Sequence, residues 1–205
     1  LDNAVEKNIL FVLHLGDIVM LNRVSQWETA RESINVLDGV VPYALALGNH
    51  DLGGPPWFGR DSTLFNEYFP LSSYNELSSF GGAFEENKLD NVYHFFRANG
   101  THYLVMVLEP APRDEVLSWA NKIVSKYSSH KTIVITHAYL GPSSRRLGAG
   151  DAFNLRYEYS YELDDTFNDG EEIWQKFVSQ HKNIQFIFSG HIGCLLYTSD
   201  AADEG

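Results

Sequence analysis

The sequence has 205 residues, 44% of them apolar and 20% charged, which is material for one core and one domain of ordinary size. Its 15 Lys and Arg stand against 27 Asp and Glu, a formal charge of −12, which disfavours a basic face for nucleic acid and leaves any anionic substrate in need of a local positive centre. No apolar run approaches the ~18–20 residues that cross a bilayer, and a lone cysteine, Cys194, excludes an internal disulfide.

The first apolar run, ILFVLHL at 9–15, is nearly continuous, the pattern of a strand covered on both faces. Ser25 and Glu28 then have the spacing of a capping box, with Trp27, Ala30, Ile34 and Leu37 on one face of the helix it predicts. A second buried-type run, YALAL, covers 43–47, and a Gly- and Pro-rich loop comes next at 52–62. Residues 91–109 hold two β-rich runs joined at Asn99-Gly100, a hairpin signal. Pro112 suits a first helical turn, after which Val116, Ala120, Ile123 and Tyr127 form an apolar stripe. TIVIT at 132–136 is the third run, and a second long loop spans 141–170. Asn168 and Glu171 predict another capped helix, with Ile173, Trp174, Phe177 and Val178 inward, and IQFIFS at 184–189 is the fourth run. Strands alternating with helices predict a layered α/β domain.

The chemistry is concentrated at the carboxyl ends of these runs. They lead into Gly16-Asp17, Gly48-Asn49-His50-Asp51, His137 and Gly190-His191. In layered α/β sheets ligands sit outside the carboxyl ends of the strands, so these tips are expected to converge at one edge. Singly, an Asp or Asn there reads as a turn former and a His as a packing residue; jointly they read as a metal site. A carboxylate, an amide oxygen and two imidazoles suit Mn, Fe or Zn better than Ca or Mg.

With these motifs the chain resembles the calcineurin-like metallophosphoesterases over residues 9 to 193, GNHD being the most specific element. PRDEVLSWA, ITHAYL and NDGEEIW resemble a bacterial, often exported branch, which implies a secreted or periplasmic setting. The resemblance implies an α/β/β/α sandwich with mixed central sheets, incomplete at both ends, occupying residues 1–193. It implies two divalent ions, with Asp17 bridging them and Asn49, His137 and His191 completing the shell of the second. His50 and Asp51 are then the catalytic candidates, the imidazole beside the substrate phosphate and Asp51 holding the ring. The implied reaction is hydrolysis of phosphomonoesters or phosphodiesters. The paired ions neutralise the ester and lower the pKa of a shared water, which attacks phosphorus, while His50 serves the leaving oxygen. The alternative is a domain that binds metal or phosphate without turnover.

Three departures from the family pattern stand out, the missing ligands favouring that alternative and Met20 disfavouring an iron-tyrosinate site. Residues 1–8 contain no Asp-any-His, the family's first motif; Gly190-His191-Ile192-Gly193 lacks a second histidine; and Met20 stands where purple acid phosphatases carry a tyrosine. Residues 194–205, CLLYTSDAADEG, resemble the read-through of a sequencing adapter and are taken as a non-native tail. Among the other polar residues, His14, His94, His102, His130 and His181 read as packing or surface residues. Trp119 and Trp174 read as core. Trp57 and Phe58 are candidate walls of the site, Arg60, Arg145, Arg146 and Arg156 candidate phosphate clamps, and Asn154, Tyr157 and Tyr159 candidate contacts. Nothing in the sequence identifies the ester or the oligomeric state.

Overall fold

Residues 4, 6–53, 59–155 and 166–192 are described by a computed structural model of the chain; residues 193–205, Trp57, Phe58, Arg156, Tyr157 and Tyr159 lie outside the described residues. Along the chain the elements are β1 (Val12–His14), α1 (Val24–Asn35), β2 (Tyr43–Leu45), α2 (Thr63–Tyr68), β3 (Phe80–Ala83), β4 (Val92–Ala98), β5 (Thr101–Val107), α3 (Asp114–Lys126), β6 (Lys131–Ile135), α4 (Gly170–Lys176) and β7 (Ile184–Phe188). β1 and β2 form a parallel pair. The others form a five-stranded sheet in sequence order, antiparallel from β3 to β5 and parallel from β5 to β7. The hairpin turns at Asn99-Gly100, both left-handed (φ 47° and 77°), between the paired residues Ala98 and Thr101. Two left-handed residues suit a type I′ turn and match the strands' twist.

Strand alternation sorts the large sheet's side chains between two cores. Val105, Val107, Ile133 and Ile135 join Ala44, Leu45 and Leu47 around the small sheet, with Trp27 of α1 and Phe65 of α2 beneath. Leu104, Met106 and Val134 face the other way, onto Val116, Leu117, Ala120 and Val124 of α3 and Ile173 of α4. The layers therefore run α/β/β/α. Each large apolar side chain so buried contributes about 1.5–3 kcal/mol. No helix among the described residues is long and apolar enough to cross a membrane.

Several local expectations are corrected. α1 begins after Arg23 with no side-chain cap, so Ser25 and Glu28 lie inside the helix rather than forming a box. The second box is displaced by one residue, to Asp169 and Glu172. Asn168 instead donates to Pro112 O and Asp114 Oδ1 at 2.8 and 2.9 Å, tying the starts of α3 and α4 together. Pro112 precedes the α3 N-cap, Arg113. Trp174 is 36% exposed, stacked under Arg146 at 4.6 Å, because the inward face of the short α4 is filled by Ile173 and Phe177. The first and last runs are less covered than continuous hydrophobicity suggested: Ile9 and Leu10, ahead of β1, are each 40% exposed, and in β7 Phe186 is 53% and Phe188 42% exposed. Of the four runs, only YALAL at 43–47 and TIVIT at 132–136 are buried throughout among the described residues.

Candidate functional site

β1, β2, β6 and β7 all deliver their carboxyl ends to one edge, where the two sheets meet. Gly16 and Asp17 turn out of β1, both left-handed (φ 92° and 53°), and His191 leaves β7 at φ 62°. Left-handed backbone at a non-glycine residue costs free energy and concentrates at functional sites. Glycine is required at position 16 for a second reason: a Cβ there would stand 2.6 Å from His137 Nδ1 and 2.7 Å from Gly48 N. The turn after β2 is the short 3-10 helix Asn49–Asp51.

The expected side chains come together. His137 Nε2 lies 3.1 Å from Asp17 Oδ2 and 3.0 Å from Asn49 Oδ1, and His191 Nδ1 lies 3.0 Å from that same amide oxygen. The other nitrogen of each ring faces a main-chain carbonyl: His137 Nδ1 donates to Leu15 O at 2.8 Å, and His191 Nε2 to Phe153 O at 3.2 Å. A carbonyl only accepts, so in the neutral rings the nitrogens turned toward Asn49 carry lone pairs. Two imidazole lone pairs, an amide oxygen and a carboxylate oxygen thus converge. Such a donor set requires a proton or a cation among its members, and its chemistry fits a divalent ion. Among the described residues no three His, Cys, Asp or Glu side chains stand at metal-holding spacing. Here the neutral amide of Asn49 is the common partner.

Asp17 is held as an anion. Burial opposes its charge, but the nearby His137 ring and the His50 N–H on Oδ1 at 3.1 Å keep its carboxyl below the usual range. His14 stands behind it, its Nδ1 accepting from Gly16 N at 3.3 Å. Burial, then His137, lowers its pKa, with Asp17 opposing.

One predicted contact is absent from the geometry and is corrected. Asp51 does not hold the His50 ring. The Asp51 side chain is fully buried and accepts from Val19 N and Gly48 N, each at 2.8 Å. Burial pushes its carboxyl up to about 6 against the pull of Gly48, Val19 and Ile18 N–H. The His50 ring is aimed instead by Met20, whose carbonyl accepts from Nδ1 at 2.8 Å. Sequence reasoning missed the Met20, Leu15 and Phe153 carbonyls because every residue carries one.

Of the candidate clamps, Arg60 is occupied structurally: it pairs with Glu109 at 2.9 Å, donates to Pro110 O at 2.6 Å and covers Phe167 at 4.4 Å. Arg146 pairs with Glu171 at 2.7 Å, and Arg145 is exposed. Asn154 is buried on Gly148 O and Asp169. Glu109, just past β5, is the hub of a network that the sequence did not disclose. Burial works against its charge, yet Arg60 and Arg113 hold its carboxyl below the usual range. Thr136, beside His137, donates to Glu109 O at 3.1 Å, so this network abuts the site.

The sequence profile of the calcineurin-like phosphoesterases matches residues 1–194. The chain is 27% identical over 205 residues to the uncharacterized protein YvnB of Bacillus subtilis, covering 99% of this chain and 14% of YvnB. Over 61 residues it is 38% identical to an Arabidopsis thaliana protein named "Probable inactive purple acid phosphatase 27", covering 27% of this chain and 10% of that protein. The chain therefore spans a small part of the length of both relatives.

Proposed function

We propose that this chain, which belongs to the calcineurin-like phosphoesterase family, hydrolyses phosphoesters at the edge where Asp17, Asn49, His137 and His191 meet. The family supports metal-dependent phosphoester hydrolysis in general. The observation that carries the reading to these residues is the convergence of His137 Nε2 and His191 Nδ1 on Asn49 Oδ1, with Asp17 Oδ2 beside them.

Those side chains would hold one divalent ion, and Asp17 is the member we assign to be shared with a second. When bound, the ions supply positive charge against the phosphoryl oxygens and an acidified water as nucleophile. The remaining work falls to the chain. Leu15 and Phe153 fix the two imidazoles through one nitrogen each, so neither ring needs to reorient on binding. Met20 fixes His50 through Nδ1, and we assign the ring's other nitrogen to serve the leaving oxygen of the ester. A local positive centre resolves the conflict between an anionic ester and a chain of charge −12.

The test is hydrolysis of p-nitrophenyl phosphate and bis-p-nitrophenyl phosphate by the full-length protein, with metal content measured in parallel. Turnover that appears with Mn2+, Fe2+ or Zn2+ and vanishes with chelator is the expected result, with two ions per chain. One ion without turnover supports the binding-domain alternative, and no ion at all refutes the site.

A further inference from the structure

We propose that Asp51 is a positioning residue that sets the separation of the two loops carrying Asp17 and Asn49. This inference rests on the reading of those two side chains as cation ligands. The β1–β2 ladder ends early: its last register pair is His14 with Leu45, succeeded by one more bond, Ala46 N to His14 O, at 3.0 Å. Asp17 and Asn49 both lie beyond it, on turns of three or four residues.

Past the ladder, the joints between the loops run through two carboxylates. Asp51 accepts from Gly48 N in its own loop and, through its other oxygen, from Val19 N in the facing loop, both at 2.8 Å. Asp17 reciprocates, accepting from His50 N at 3.1 Å. Each loop thus supplies a carboxylate to the other's amides, a cross-laced arrangement centred on the candidate ligands. The fit between the loops is close: a Cβ on Gly48 would overlap Asp17 N and the Asp17 carboxylate. A shift of Gly48 is therefore a shift of Asp17, and Asp51 holds the Gly48 amide. The left-handed Asp17 backbone (φ 53°) is the kind of conformation that persists only where surrounding contacts fix it. Asp51 is also fully buried, so it meets the ester only through the loops it joins.

Asp51→Asn keeps the size but replaces one acceptor oxygen with an NH2 that faces an amide donor, so one loop loses its hold. Support shells of this kind typically account for about 10–100-fold in metal affinity. Calorimetric titration with Mn2+ alone, on the full-length protein with its fold checked by near-UV circular dichroism, is expected to show a Kd at least about 10-fold weaker for Asp51→Asn than for the wild type. The Mn2+ concentration for half-maximal hydrolysis rises by the same factor, while KM for the ester at saturating Mn2+ is unchanged. A merely structural loss of folded protein would reduce amplitude instead. Equal Mn2+ affinity in wild type and variant overturns the inference and leaves the metal site standing. A wild type that takes up no Mn2+ overturns the underlying reading and the inference with it. Should the variant fail to fold, amide hydrogen exchange on the wild type decides. Val19 and Gly48 N–H are expected to exchange slowly, and rapid exchange at both refutes the staple.

Discussion

His94 gives the most quantitative handle on the fold. It sits on β4, opposite Phe80 of β3 and Val105 of β5, with its side chain fully buried between the sheets. Phe11 and Phe80 meet its ring edge-to-face at 5.9 and 5.5 Å, and among the described residues neither nitrogen has a hydrogen-bond partner. Burial alone drives its pKa from 6.5 down to about 4. The sign comes from linkage: above pH 6.5 folded and unfolded chains are both neutral at this ring and nothing is lost. As pH falls below 6.5 the unfolded chain takes up a proton that the folded chain refuses until about pH 4, so stability declines across that window. The full gap corresponds to about 3 kcal/mol, of which about 2 kcal/mol falls between pH 7 and 5.

His94→Leu removes the proton acceptor at similar volume. Urea unfolding of both proteins at pH 7 and 5 should show the wild type losing about 2 kcal/mol more than the variant. At pH 7 the variant should be no less stable, because two buried unsatisfied nitrogens are gone. The comparison between proteins cancels Asp51, Asp90 and every other titrating group common to both. Equal losses on acidification would show that the ring is hydrated or paired, and the reasoning would fail.

His50→Ala should slow ester hydrolysis by about 10²–10⁴-fold while metal content stays at the wild-type level; loss of metal instead would place His50 among the ligands. Gly48→Ala should abolish tight Mn2+ uptake, because its Cβ would occupy the space of the Asp17 carboxylate, whereas urea stability should fall by no more than about 1–3 kcal/mol. Unchanged Mn2+ affinity would disprove the packing argument. Arg113→Ala strands the buried Glu109, to which Nε and Nη2 donate at 2.8 and 3.2 Å. A loss of about 2–4 kcal/mol is expected by urea unfolding, tempered from the usual range because Arg60 remains. A neutral result would mean that Arg60 alone compensates the charge.

The strand tips were legible because glycine, an acidic or imidazole side chain and a preceding apolar run coincide only where a strand must turn sharply beside a site. Gly16 shows the cause, since His137 occupies the space a side chain would need. The helix starts were legible to within a residue or two: Asp169 captured the cap expected at Asn168 because Asn168 was already bonded across to α3. Asp51 was misread because adjacency in GNHD suggested a contact with His50, yet Asp51 turns inward to main-chain amides while His50 bonds the Met20 carbonyl. Arg60 and Glu109 are 49 positions apart, and no local pattern announces an ion pair formed across a fold.

Among the described residues one face of β7 is left uncovered, which bears on how the chain behaves in bulk. Among the described residues β7 is the last strand of its sheet; Phe186 and Phe188 stack 6.0 Å apart on it, and its five residues, Ile-Gln-Phe-Ile-Phe, include no charge and no proline to discourage pairing with other polypeptides. Mutual repulsion from the surplus of carboxylates is then the main safeguard against clumping. Concentrated salt weakens that safeguard while leaving the greasy margin intact, so the colloidal tolerance of this domain should be widest in dilute buffer.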